Sequence, residues 1–397
     1  MTRSLPFRAF ILATVGFGAL CAGGGIAQAQ FKQTDLASDI SGLATITDPN
    51  LKNTWGLTAI PGASPFWIDN QVTGTSSLYA VTGSSTIAPA NLNGTPGTNF
   101  AAIPGGGVPS GPTGIVDNSG MSFGIAGGPA LFIFANLNGT ISAWNMSNIS
   151  SATHNAATVE RTTPGASFTG LAINSTGNLL YAANGNTGQI DIFDSSFAPT
   201  TVMGSFVDPN LPAGYVPFNV EDIGGKVYVA YALAGHGPQT TAMAGQGAVA
   251  VFDESGNFMQ QLVGVSSSGE LASPWGMAIA PAGFGPFGGD LLVGNFSFVD
   301  SEINAFDATT GQFEGTIPVN AGVGNTPGGL WDLMFGSGGP TGDPMTLYFT
   351  DGIDGETHGL FAALAVPEPS TWVMMLVGFG GLALFAARRR RASLAIG

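Results

Sequence analysis

Past its first 29 residues the chain has no cysteine; the single cysteine of its 397 residues is Cys21. Once a leader containing Cys21 is removed, disulfides, thiolate metal sites and a cysteine nucleophile are excluded. Charge is scarce as well, at 9% of residues, and positive charge is scarcest. Residues 30–366 hold four cations (Lys32, Lys52, Arg161, Lys226) against 24 acids, a net charge near −20. A surface this acidic repels nucleic acid and anionic lipid, and suits solubility or cation binding better. There are three histidines, His154, His236 and His358. They lie in separate polar loops without metal-ligand spacing, so each reads as a surface residue. No convincing Ser-His-Asp set is present. Gly120-Met121-Ser122-Phe123-Gly124 fits the nucleophile-elbow pattern and Gly283 to Gly288 the dinucleotide pattern, but neither opens a helix as that chemistry requires.

What the chain does have is glycine (61), proline (25), phenylalanine (27) and 44% hydrophobic residues. That composition suits a turn-rich all-β domain with ample apolar surface to bury. One short motif recurs: Trp55-Gly56-Leu57, Thr113-Gly114-Ile115, Thr169-Gly170-Leu171, Phe218-Asn219-Val220, Trp275-Gly276-Met277 and Trp331-Asp332-Leu333. The gaps between second residues are 58, 56, 49, 57 and 56, the mark of one supersecondary unit repeated. After each copy comes a second strand with a polar end: Phe66–Asn70, Phe132–Asn136, Leu180–Asn184, Leu291–Asn295 and Leu347–Asp351. Copy four ends in Tyr231 instead. A third strand closes in an aromatic, as at Trp144, Phe193, Phe252 and Phe306, with Leu78-Tyr79 and Leu360-Phe361 in the first and last copies. Fourth strands are expected at Phe100–Ile103, Ser205–Val207, Phe258–Gln261 and Phe313–Ile317. The last copy has none, and the spare strand Phe31–Leu36 can supply it. The expectation is a six-bladed β-propeller over 30–365, its ring closed by the N-terminal strand, which leaves no open edge. A β-sandwich or β-helix is the alternative.

The two ends carry address information. Arg3 and Arg8, the apolar run Phe10–Cys21 and the small-x-small site Ala27-Gln28-Ala29 read as a signal peptide over 1–29. At the other end Val366-Pro367-Glu368-Pro369-Ser370 precedes sixteen uncharged residues, 372–387, and four arginines, 388–391. As a helix, sixteen residues span ~24 Å, workable as a transmembrane segment with snorkelling arginines. The arginines fix that end in the cytoplasm, so the repeat region faces outward.

This ordered triple over 366–391 resembles the PEP-CTERM sorting signal of Gram-negative bacteria. The resemblance implies processing near Val366, Pro367, Glu368 and Pro369 by an exosortase, in organisms that make exopolysaccharide. It also implies an inner-membrane anchor before cleavage and a cell-surface or extracellular location after it. An uncut single-pass anchor is the alternative. The exported part, from Thr47-Asp48-Pro49-Asn50-Leu51 through Trp55-Gly56-Leu57, Asp69-Asn70 and Leu78-Tyr79, resembles an uncharacterised family of secreted bacterial propeller-like proteins. That resemblance implies a fold of the NHL or lactonase-like kind and no established activity.

Chemistry has one obvious place to sit. The start of strand one and the end of strand two share one end of a blade. Asn70, Asn136, Asn184, Asn295 and Asp351 are therefore expected around one axial mouth, joined by Asn219, Glu221 and Asp332. Asparagine and aspartate also end strands because they make turns, and that reading of the Asn column comes first. The oxygen-ligand reading makes Glu221, Asp332 and Asp351 a calcium site. Asp351 to His358 reads as a hairpin turn rather than a calcium loop. Two functions stay open: a binding or structural module of the cell surface or exopolysaccharide matrix, possessing no catalytic set, and a calcium-dependent hydrolase or lactonase-like enzyme at the axial mouth.

Overall fold

The computed structural model describes residues 31–367, apart from 96, 106 and 108. The signal segment, Glu368, Pro369 and the apolar run 372–387 lie outside the described residues. Among those described, no helix is long and apolar enough to cross a membrane.

Six sheets form the six blades, antiparallel except where Ile46–Thr47 adds a parallel edge to Lys32–Ser38 in blade 6. Their innermost strands are Thr54–Thr58, Pro112–Asp117, Phe168–Ile173, Tyr215–Ile223, Pro274–Ile279 and Leu330–Phe335, in blades 1 to 6. Each begins at or within two residues of a repeat copy, except in blade 4, where it begins three residues earlier. The fold is thus the expected all-β six-bladed propeller. Closure is also as expected. Lys32–Ser38 pairs antiparallel with Leu360–Ala365 as the fourth strand of blade 6. Leu36 and Ala37 are fully buried in that seam.

Three local expectations need correction. Ser205–Val207 is not a strand, and blade 3 has three strands. Phe206 adopts a left-handed backbone (φ 50°) and inserts its ring between Tyr181 and Phe252, at 5.1 and 5.5 Å. The segment then bonds to the Ser255-Gly256 turn of blade 4 instead of to its own sheet. Leu360-Phe361 opens the third strand of blade 6 rather than closing it; Leu364 takes the place opposite Leu347. Finally, Thr158–Thr162 adds an unexpected fourth strand to blade 2, its largely exposed residues lacking a buried apolar alternation.

The core is not a single mass. Six apolar clusters lie between successive blades, and a seventh fills the axis. Trp67 stacked on Phe132 (4.3 Å) shows the pattern between blades 1 and 2. Each sheet therefore buries both faces, which is why its strands read as apolar runs rather than as half-polar alternation. Burial of this kind, not any single contact, drives closure of the ring.

Candidate functional site

The repeat motif sits where the blades meet at the axis. A β-bulge breaks the register of all six innermost strands at or beside the motif. A bulge adds one residue to one strand and re-aims the side chains that follow. Here it places the motif's second residue against the next blade. A methyl group on Gly56 would lie 2.5 Å from the Thr113 carbonyl oxygen, and one on Gly276 2.2 Å from that of Trp331. Glycine is required at such an approach. The two copies without glycine bridge by hydrogen bond instead. Asn219 Nδ2 donates to the Trp275 carbonyl of blade 5 (3.0 Å). Asp332 Oδ2 accepts from Leu57 N of blade 1 (2.7 Å), and its Oδ1 from Leu333 N (2.8 Å). The departures of Asn219 and Asp332 from the repeat are thus stitches between neighbouring blades.

The eight sequence-selected residues do not converge. The bulge separates them. Asn70, Asn136, Asn184, Asn295 and Asp351 lie opposite the starts of the innermost strands, at the face termed upper here, but buried and turned into their own blades. Asn295 accepts from Ala272 N and donates to the Glu270 carbonyl; Asn70 donates to Thr75 and Ser77; Asn136 to the Pro104 carbonyl. Asn184 caps the following turn through Asn186 N and Thr187 N. Asn184 alone of these does turn chemistry; the others tie their strand end to a neighbouring strand or loop. Both carboxylate oxygens of Asp351 are buried without a partner among the described residues, as are those of Asp69, and burial raises the Asp351 pKa well above the usual range.

Glu221 and Asp332 line the other, lower mouth, a cavity of about 210 Å³ whose rim also carries Asp117 and Asp222. Burial pushes Asp332 up to about 7 against the pull of its two N–H donors. Burial, then the charge of Asp332, raises Glu221 well above the ordinary carboxylate range, while Asn219 donates to its Oε1 (3.1 Å). Asp351 does not line this mouth. Among the described residues no group of three His, Cys, Asp or Glu side chains is arranged to hold a metal ion.

The upper mouth is the larger, about 530 Å³, within the range of small-molecule pockets. Its lining comes from residues one or two past the Asn column, Gln71, Leu137, Gly185 and Asn186, together with Asn53, Trp55, Phe218, His236, Gln239 and Glu356. The two mouths share no lining residue. Between them lies the axial cluster of Trp55, Trp275, Trp331, Phe218 and Phe296. Trp55 stacks on Trp331 with ring centroids 3.5 Å apart, and Trp275 meets both edge-on. Trp331 Nε1 donates to Asn53 Oδ1 and Trp275 Nε1 to the Thr169 carbonyl, each 2.9 Å. Trp55 Nε1–H, equally buried, has no partner among the described residues. A buried donor left unpaired is costly, and Trp55 Nε1 shares that state with Arg161 Nε among the described residues.

His236 and Glu356 span the rim from blades 4 and 6. His236 Nε2 donates to Glu356 Oε2 (3.0 Å), and that bond raises the histidine pKa against the opposing effect of burial. Glu356 Oε1 accepts from Asn53 Nδ2 (3.1 Å). Asp354, Gly355 and Glu356 are three successive left-handed residues, a strained run held by Asp354 accepting from Thr326 N. The expected hairpin at 351–358 thus exists and delivers Glu356 to the mouth. Of the histidines, His236 was not legible as a site residue, because its partner is 120 positions away.

With this geometry in hand, relatives can be placed. Uncharacterized protein R648 of Acanthamoeba polyphaga mimivirus is 30% identical over 341 residues, covering 83% of this chain and 78% of the viral protein. The chain belongs to the family of that protein. Uncharacterized protein L690 of the same virus is 29% identical over 355 residues, covering 85% of this chain and 86% of its own. Among solved structures, streptogramin B lyase superposes with a TM-score of 0.50 at 10% identity, over 86% of this chain and 99% of the lyase, a likeness of fold alone. Residues 365–391 match the PEP-CTERM protein-sorting motif. The motif marks the chain for export and exosortase sorting to the cell envelope.

Proposed function

We propose that the protein is a binding module of the cell surface or exopolysaccharide matrix that seats a glycan ligand in its upper axial cavity. The observation that carries this reading is the upper cavity itself, about 530 Å³, where Trp55 and Phe218 stand beside the amide side chains of Asn53, Gln71, Asn186 and Gln239. Aromatic and amide side chains together suit the C–H faces and hydroxyl groups of a sugar ring. The sorting motif supplies the context: the signal peptide is removed after Ala29, the apolar segment 372–387 anchors the chain in the inner membrane, and exosortase cuts near Pro367-Glu368-Pro369. The test is capture of the exported chain on exopolysaccharide from a producing strain. Retention that Trp55→Phe weakens supports the reading; passage of both proteins through the matrix unbound rejects it.

A second reading is a calcium-dependent hydrolase or lactonase-like enzyme at the lower mouth, favoured by the pairing of Glu221 and Asp332 there. Calcium added to chelated protein then raises the melting temperature. An unchanged melting temperature removes this reading and leaves the first intact.

A further inference from the structure

Blade 3 is bare along part of its outer edge. The other five blades carry a fourth strand, whereas blade 3 ends at Gln189–Asp194. A fourth strand begins there and stops. Asp194 N donates to the Ala198 carbonyl and Thr200 N to the Ile192 carbonyl, both 2.9 Å, closing one antiparallel bridge. The chain then leaves for the Ser255-Gly256 turn of blade 4. The Ile192 carbonyl thus points away from its own sheet. Alternate residues of an antiparallel strand bond to opposite sides, and the pairing of Gln189–Asp194 with Leu179–Asn184 has no bulge, so Ile190 points the same way. The N–H and C=O of Ile190 and the N–H of Ile192 have no partner among the described residues. A groove of about 490 Å³ lies along this edge, with Ile190, Asp191, Ile192 and Val202 in its lining. Ile190 and Ile192 face the apolar cluster between blades 3 and 4, which Val202 also joins. Asp191 is on the opposite face and is the one charged side chain of the lining.

A bare edge is a template for a further strand. We infer that blade 3 takes its missing strand from a partner protein: an extended segment that adds antiparallel along Gln189–Ile192, with apolar side chains on the Ile190–Ile192 face and lysine or arginine on the Asp191 face. The main chain supplies affinity through the three free groups, and the alternating side chains supply selectivity. The antiparallel sense continues the bridge that Pro199 begins. A basic segment is favoured by Asp191 and by the net charge near −20 of the exported chain. A second copy of this chain is disfavoured on the same ground, since pairing two such edges brings Asp191 towards its counterpart. The surface is separate from the upper axial cavity, with which it shares no lining residue.

The probe is a blocked pentapeptide of alternating valine and lysine, titrated into the exported chain, with amide hydrogen exchange read by NMR. In the free protein the Ile190 and Ile192 amides are expected to exchange fast, while the inward amides of Asp191 and Phe193 stay protected. The peptide binds and slows Ile190 and Ile192. N-methylation of its valines abolishes binding, because those N–H groups meet the edge. Asp191→Asn keeps an oxygen for Asn184 Nδ2 (3.0 Å) and removes the charge. It is expected to weaken binding of the lysine peptide up to about fivefold, the worth of one exposed ion pair, and to leave binding of a valine–threonine peptide unchanged. Protected Ile190 and Ile192 amides in the free monomer overturn the proposal, as does a peptide that does not bind. Binding that survives N-methylation also overturns it, being attraction of a basic peptide to an acidic surface. A dimer in sedimentation whose Ile190 and Ile192 amides are protected seats a second copy on the edge and overturns the partner assignment.

Discussion

Replacing Gly276 by alanine tests the packing of the axis. The new methyl group would stand 2.2 Å from the Trp331 carbonyl oxygen and 2.9 Å from Asp332 Cα and Leu333 N. All three are backbone atoms of blade 6, so no side-chain rotation relieves the clash. Ordinary contact requires the two innermost strands to part by about 1 Å, in a region packed to crystal-like density. Such overpacking costs about 1–3 kcal/mol, and a clash against backbone belongs at the top of that range. Unfolding entropy near 2.1 cal/mol/K per residue over about 340 residues gives ~0.7 kcal/mol/K, so 3 kcal/mol lowers Tm by about 4 °C. Gly124→Ala is the control, because a methyl group there meets nothing within 4 Å and its φ is not left-handed. Differential scanning calorimetry of both variants is the assay. A Gly276→Ala protein that melts within about 1 °C of the wild type refutes the close approach of the blades.

Asp351→Asn restores the residue found in four equivalent positions and removes a buried carboxyl without partners. The folded carboxyl keeps its proton above the range in which the unfolded chain loses it, near pH 3.9, so the wild type loses stability as pH rises through that window. The variant has no such slope and is expected to gain about 1–2 kcal/mol at pH 8 and little at pH 4, read by urea titration at both values. Deleting Lys32–Ser38 opens the ring at blade 6; a chain that still melts cooperatively at the wild-type temperature contradicts closure by this strand. Glu356→Gln removes the partner that raises His236. That pair stabilises below the ordinary histidine range and is lost as pH rises through the raised value. The variant is therefore expected to be weaker by about 0.5 kcal/mol at pH 5.5 and equal to wild type at pH 9, as measured by denaturant midpoints.

The architecture was legible because it is periodic. Six copies of one motif gave the blade count, and the orphan strand at the N-terminus gave the closure. The turn reading of the Asn column fits Asn184, whose side chain caps the turn that follows it, whereas Asn70, Asn136 and Asn295 bond a neighbouring strand or loop. The site was not, for a physical reason: a bulge in each innermost strand sets which side chain meets the next blade, and no residue type announces it. The second strands end on Asn70 and Asn136, which are buried, and it is Gln71 and Leu137, just past the strands, that line the cavity. The pairing of His236 with Glu356, and the lone N–H of Trp55, arise from contacts between blades far apart in sequence. One signal was available. Tryptophan fills the motif's first position in three of six copies, and rings that large at an axis already held close by glycines have to cluster on one side of it.

The central claim is that a glycan seats in the upper cavity, against Trp55. The indole N–H resonances of the isotope-labelled exported chain test it directly, with the Trp55 signal assigned by its loss in Trp55→Phe. On adding exopolysaccharide fragments, the Trp55 signal is expected to shift, while those of Trp275 and Trp331, bonded to Thr169 and Asn53, stay near their places. A Trp55 signal that stays fixed while the fragments bind would contradict the account and place the ligand elsewhere on the protein.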